Sequence, residues 1–395
     1  MIGARSVVIS GTGVVSPVGC DLESHVKGLV AGWSPCEELG VGFEECDRAI
    51  GCRAVSAGQA WAGPRHVGLG LTASQEAVAA AGLTEQERAD TDVIAATAIS
   101  AIVELEEARR AGSAPPAGWF GFDLLTEEVR ADLGIRGRPL TVSTGCTTGL
   151  DAFGAAIDAI ASGRSSRVLV VAAEAALSPA VVAGFQRVGA LSTRPVPPGQ
   201  ASCPFSRERD GFVLGEGAAS VVLEDGAAAA ARGARPAVEV CGWSSVSSAY
   251  HMTGIRKTGE DIARSIRLAL DDAGLPADAI ECIDSHGSST PLNDASEAAA
   301  YAEVFGNRLP SIPVIAQKGV FGHPLGASNL MEIVGMTSLL PAGVLPPVMN
   351  TTSETLSEAL DVVLGEPRDA QPEYVVKNSS GFSGLHSACI LRLMS

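Results

Sequence analysis

The stretches Gly145-Cys146-Thr147-Thr148-Gly149-Leu150-Asp151-Ala152 and Gly322-His323-Pro324-Leu325-Gly326-Ala327-Ser328-Asn329 share one pattern. In each, a reactive side chain follows a glycine, precedes a second glycine by three, and opens an apolar stretch with helical spacing. Two such openings suggest an internal duplication. Outward from them, short apolar runs rich in β-branched residues recur at 6–9, 92–96, 168–172, 219–223, 237–240, 279–283, 375–377 and 388–391. Each reads as a buried strand. Between them lie Ala-rich stretches with helical spacing at 71–81, 150–161, 262–273, 294–304 and 327–340. The alternation predicts an α/β fold with helices on both faces of the sheets. The few charges on 150–161 and 330–340 place those two helices between layers. An Ala run ending in Gly and Pro, Glu224 to Pro236, is the expected boundary between a first half, 1–232, and a second, 233–395. The halves are unequal, so a duplication requires insertions in the first.

Composition narrows the function. The 395 residues are 46% hydrophobic and 18% charged, too apolar for a disordered chain. A net charge of −17 repels nucleic acid and anionic lipid over most of the surface. The nine cysteines are scattered and never form a C-x-x-C pair, which argues against a disulfide framework and against a zinc site. No signal-like or membrane-length apolar run is present, and a reducing cytoplasm is expected.

Cys146 is the sharpest chemical candidate. It stands between Gly145 and Gly149 at an expected strand-to-helix junction, where unpaired N–H groups and a partial positive charge favour a thiolate and bind an oxyanion. A buried core thiol is the plain alternative. His286, in Asp284-Ser285-His286-Gly287-Ser288, follows an apolar strand, and His323 sits in a second small-residue loop. Such loops display catalytic groups in α/β enzymes. Imidazoles near a thiol can hold a proton or donate to a developing oxyanion. Lys318, one of four lysines, falls five residues before His323 in an apolar stretch and demands a charge partner. Glu332 is the candidate, with a surface lysine as the alternative. Gly381-Phe382-Ser383-Gly384 offers backbone N–H groups beside a ring, or an ordinary turn. Gly211 to Gly217 lacks any phosphate-loop or dinucleotide fingerprint and reads as a turn into a strand.

Together these segments resemble the β-ketoacyl-ACP synthases, the condensing enzymes of fatty-acid and polyketide assembly. The likeness spans nearly the whole chain: Val7 to Gly19, Ser143 to Ala152, Pro204 to Gly217, His286 to Asp294, Lys318 to Gly326 and Asn378 to Gly384. The resemblance implies a thiolase-like α/β fold of five layers, αβαβα, with two related halves, and a dimer. It implies Cys146 as the nucleophile that takes an acyl chain from acyl carrier protein. The backbone N–H groups of Cys146 and Phe382, with His286 and His323, would meet the oxyanions. Lys318 would orient the site, with Glu332, Ser288 and Thr290 in support, and Phe382 would gate the acyl pocket. No metal and no cofactor are implied, because substrates ride on the carrier's phosphopantetheine arm.

The Cys-His-His set resembles the elongating branch, and Ser143 to Ala152 with Ala249 to Gly254 look most like ketosynthase subunits of type II polyketide synthases. Ala190-Leu191-Ser192-Thr193-Arg194 is closer to fatty-acid enzymes. A second subunit is expected, either an identical copy or a chain-length-factor-like partner. Other readings are a fatty-acid elongating synthase, an acyltransferase that does not condense, and a non-catalytic scaffold subunit. Cys389 reads as core. Ser288 replaces the family's usual Thr, Ser383 its usual second Gly, and His386 the Asn of fatty-acid enzymes, so Ser383 is expected to stiffen the gate. Arg207, Arg209, Arg256 and Lys257 are expected to dock the acidic carrier.

Overall fold

The first strand, β1 (Val7–Val15), runs straight through Gly11 and Gly13. A Cβ at either position would collide with a backbone carbonyl of helix α1 (Arg65–Ala81), Ala77 above Gly11 and Ala73 above Gly13. Glycine therefore lets the helix lie directly on the strand. The structure is a computed structural model that describes residues 5–55 and 61–394. The first half continues with β2 (Asp92–Ala96), α2 (Leu124–Leu133), β3 (Pro139–Val142), α3 (Thr148–Ala161), β4 (Arg167–Ala175) and β5 (Leu214–Asp225). The second half repeats the order with β6 (Val238–Ser247), α4 (Glu260–Ala273), β7 (Cys282–Asp284), α5 (Pro291–Phe305) and β8 (Pro313–Ile315). It ends with α6 (Ser328–Ala342), β9 (Tyr374–Gly381) and β10 (Leu385–Leu393).

The strands line up as β3-β2-β4-β5-β1-β6-β10-β9-β7-β8. From the middle outward, β1-β5-β4 is antiparallel and β4-β2-β3 parallel. Correspondingly, β6-β10-β9 is antiparallel and β9-β7-β8 parallel. The two halves are thus one topology used twice, joined where Val7–Ile9 pairs with Val238–Val240. Gly242 on β6 repeats the role of Gly11: a Cβ there would strike the Ala269 carbonyl of α4. Helices α3 and α6 lie in the middle layer, packed with both half-sheets in one buried cluster. Helices α1 and α2 cover one outer face and α4 and α5 the other, which completes five layers.

The expected strands and helices are present, mostly longer than their apolar runs. Strand β3 escaped the sequence reading because it is a half-exposed edge, with Leu140 48% exposed. Strand β8 is only three residues, and α2 is masked by charges such as Glu127, Glu128, Arg130 and Asp132. The cysteine reading needs one correction: Cys36 and Cys52 form a disulfide. A separation of 16 positions leaves no spacing signal. The pairing arises because Glu37–Glu38 runs antiparallel to the short strand Ile50–Cys52, which sets Cys36 opposite Cys52, and that strand docks beside Leu214–Gly215 of β5. Among the described residues no helix is long and apolar enough to cross a membrane.

Candidate active site

Cys146 lies on a 3-10 turn, Gly145–Thr147, that feeds straight into α3. Gly145 takes φ +66°, the left-handed conformation that turns the chain from β3 into the helix. The turn is pinned from both sides. Thr148 Oγ1 accepts from the Thr144 N–H at 2.8 Å and donates to the Gly145 carbonyl at 2.6 Å. Thr144, Thr147 and Ser387 all donate to the Asp151 carboxylate. The two octapeptides that share a pattern meet here. A Cβ on Gly149 would lie 2.7 Å from the Gly326 carbonyl oxygen, so the starts of α3 and α6 touch backbone to backbone. Asn329, on the first turn of α6, donates to the Cys146 carbonyl at 2.6 Å.

The thiol behaves differently from the helix-start expectation. Burial pushes it up to about 11, against the Lys318 charge and the Phe382 N–H, which favour the thiolate. The Phe382 N–H thus faces the sulfur, and the resting group is a thiol whose proton needs an acceptor.

His286 and His323 supply two rings with centroids 5.3 Å apart, nearly perpendicular. Both are buried, and burial holds both well below the ordinary imidazole range, helped by Lys318 and Lys377. Both rings are neutral at pH 7. The His286 Nδ1 faces the Ser379 hydroxyl at 3.5 Å. The His323 backbone is fixed by donating to the Val213 carbonyl and accepting from Gly215 N–H. The Cys52 half of the disulfide lies under this turn, 3.0 Å from where a Cβ on Gly322 would be.

Lys318 does have its partner. Its Nζ lies 2.6 Å from Glu332 Oε1 and donates to the His286 carbonyl at 2.7 Å. Burial lowers its pKa, with Glu332 opposing. The other carboxylate oxygen of Glu332 pairs with Lys377 at 2.8 Å, and Lys377 lies 3.8 Å from Asp284. Burial opposes the Lys377 charge, yet Asp284 and Glu332 together hold it above the usual lysine value. Burial pushes Asp284 up to about 7.

Phe382 belongs to an apolar wall. Its ring is 6.1 Å from Phe185, which is 5.3 Å from Phe212, which is 5.0 Å from His323. Cys146, Ala98, Ile99 and Leu325 pack in the same cluster. Ser383 adopts φ +70°, the region that glycine favours, and its N–H donates to the Met252 carbonyl at 2.6 Å. A side chain in that region costs about 1–2 kcal/mol.

The remaining candidates divide. Ser288 and Thr290 share a hydroxyl contact at 3.0 Å, and Thr290 caps α5, so both build the His286 loop. His386 is buried on β10 against Ser380 Oγ at 3.0 Å, and burial lowers it to about 4. Cys389 is fully buried in the core. Arg209 is corrected: it is buried between Asp294 and Glu358 and holds the 357–358 segment. Arg256 stacks on Tyr250 and pairs with Glu260 and Asp261. Arg207 and Lys257 remain exposed.

Residues 53–229 match the family described as Beta-ketoacyl synthase, N-terminal domain, and residues 237–352 match Beta-ketoacyl synthase, C-terminal domain. The chain belongs to the β-ketoacyl synthase family. One similar protein is the Streptomyces coelicolor "Actinorhodin polyketide putative beta-ketoacyl synthase 1", 41% identical over 269 residues. That alignment covers 68% of this chain and 58% of the relative's own length. A type II polyketide synthase acyl-carrier protein in complex with its ketosynthase bound to the hexaketide superposes with TM-score 0.91 at 31% identity. The ishigamide ketosynthase/chain length factor does so with TM-score 0.90 at 30% identity. Each structural match covers 99% of this β-ketoacyl synthase and 100% of the matched chain.

Sequence reasoning missed Asn329, Lys377, Asp284, Glu297 and Glu174. Glu174 accepts from Thr97 Oγ1 and from the N–H groups of Ala98, Ile99 and Gly326, and burial pushes it up to about 7. Glu297 accepts from the N–H groups of His286 and Gly287 at 2.7 and 2.9 Å. The usable signal was an ionisable residue inside an apolar run: Glu174 within Val170 to Leu177, and Lys377 within a strand.

Proposed function

We propose that the chain is a β-ketoacyl-[acyl carrier protein] synthase that performs decarboxylative Claisen condensation in type II polyketide assembly. The observation that carries this is one thiol facing a backbone N–H in an apolar cluster whose Phe212 ring touches His323, which in turn meets His286, both imidazoles being neutral. The Cys146 sulfur attacks the acyl thioester of the carrier, its proton passes to an imidazole and on to the leaving phosphopantetheine thiolate. The Cys146 and Phe382 N–H groups hold the tetrahedral oxyanion. Malonyl carrier then binds. Its carboxylate leaves as CO2, the enolate oxygen is held by donors on His286 and His323, and the carbanion attacks the Cys146-bound carbonyl. The C–S bond breaks, the sulfur takes a proton from water through an imidazole, and β-ketoacyl carrier departs.

No redox step and no metal enter this sequence, so the phosphopantetheine arm of the carrier suffices. The titles of the two similar structures name an acyl-carrier protein and a chain length factor, which supports those two partners here. The outer edge of β3 pairs with nothing among the described residues, and Ser143 and Gly145 just before the nucleophile are exposed. An unpaired edge is a natural seat for a second subunit. The intact imidazole pair argues against a non-condensing acyltransferase, and Cys146 against a scaffold subunit.

Radiolabelled CO2 release from malonyl carrier tests the reading. His323→Ala should still acylate Cys146 but release CO2 about 10²- to 10³-fold more slowly, the usual cost of one oxyanion donor. Undiminished release from the variant would overturn the assignment.

A further inference from the structure

The loop that presents His286 is held at three consecutive peptide groups, from Asp284 to Gly287. Glu297 on α5 takes the N–H groups of His286 and Gly287. Lys318 donates to the His286 carbonyl, and Lys377 donates to the Ser285 carbonyl at 3.0 Å and reaches that of Asp284 at 3.4 Å. The two ammonium groups are linked through Glu332, which gives one oxygen to each. Lys377 comes from the middle of β9, at a position that pairs with Asp284 of β7 and Cys389 of β10, and is fully buried. Burying an unneeded lysine there would be costly, since an apolar residue would satisfy the strand.

We propose that Lys377 is a positioning residue of the condensing site, which fixes the His286 loop by its carbonyls and holds Glu332 so that Lys318 completes the same grip. This rests on the condensing reading above. The ring of His286 is faced by Lys318, Lys377, His323 on its turn, His386 on β10 and the Ser379 hydroxyl on β9. Asp284, Glu332 and Glu297 supply the nearby negative charge, from β7, α6 and α5. Among these, Lys377 adds a positive charge that favours the neutral form of both imidazoles. Only a neutral ring accepts the thiol proton. Removing the charge therefore lets the rings protonate at higher pH, and the acid side of the rate profile moves upward.

The variants are Lys377→Met and the charge-balanced double variant Asp284→Asn/Lys377→Met, which removes both members of the 3.8 Å pair. Each is assayed with acyl carrier for Cys146 loading and with malonyl carrier for CO2 release across pH 5 to 9. We expect the double variant to melt near the parent and to load Cys146. Its CO2 release should fall about 10- to 100-fold, the cost of a slightly misplaced group, with KM little changed. In the single variant, which loses only the positive charge, the acid limb of Cys146 loading is displaced upward. A parental rate of CO2 release in the double variant would overturn the proposal, leaving Lys377 as a mere counter-ion to Asp284. If the single variant fails to fold, the double variant decides alone; if that also unfolds, the pair is structural and the proposal is overturned. Parent protein that neither loads nor decarboxylates would instead sink the condensing reading itself.

Discussion

The side-chain amide of Asn329 donates to the backbone carbonyl of Cys146 at 2.6 Å, so the second of two duplicated helix starts steadies the turn that carries Cys146 on the first. The Gly149–Gly326 approach makes this reach possible, because a side chain at Gly149 would strike the Gly326 carbonyl and separate α3 from α6. The duplication thus has a chemical consequence: the two copies place a thiol and an imidazole on neighbouring turns.

Asn329→Ala leaves the Cys146 carbonyl without its donor. Loss of a hydrogen bond at a buried carbonyl costs about 1–3 kcal/mol. Stopped-flow acylation should slow by roughly tenfold, with circular dichroism unchanged.

Glu332→Gln removes the anion that two buried lysines share. Breaking such a pair from one side costs about 3–5 kcal/mol. Urea unfolding should show an unfolding free energy lowered by that amount, and CO2 release should fall with it.

His66 opens α1, is buried, and neither ring nitrogen has a partner. Burial lowers its pKa to about 4, below the ordinary 6.5. A depressed histidine costs stability as pH falls below 6.5, because the unfolded chain binds the proton and the folded chain does not. His66→Leu should therefore be slightly stabilising at pH 7.5 and more so by about 2 kcal/mol at pH 5. Thermal melts at the two values check both the gain and its sign.

Ser383 at φ +70° tolerates no branched replacement. Ser383→Val should lower the unfolding free energy by about 2 kcal/mol, whereas Ser383→Gly should be nearly neutral in stability. If the stiffened turn limits entry of substrate, Ser383→Gly also raises the condensation rate with long acyl carriers.

Three side chains of the candidate site were legible because each is an ionisable or nucleophilic residue flanked by glycine in a predicted loop: Cys146, His286 and His323. Lys318 with Glu332 was legible because both lie on one short segment, 14 residues apart. Lys377 was not, since its partner Glu332 precedes it by 45 residues and its strand reads as ordinary core. Asp284 was passed over for the same reason, its partner Lys377 lying 93 residues later on the neighbouring strand, and Glu297 because its partners are backbone N–H groups of the His286 loop, which a sequence does not display. Arg209 misled because a sequence shows its charge but not Asp294 and Glu358 around it. The thiol misled in sign: the helix start favours a thiolate, but desolvation at Cys146 outweighs it.

Peptide mapping by tandem mass spectrometry, after incubation of the full chain with acyl carrier protein, bears most directly on the nucleophile. The expected result is one acyl adduct, on the peptide holding Cys146, absent from Cys146→Ala. An adduct on any other residue, or one that persists in Cys146→Ala, would contradict the account.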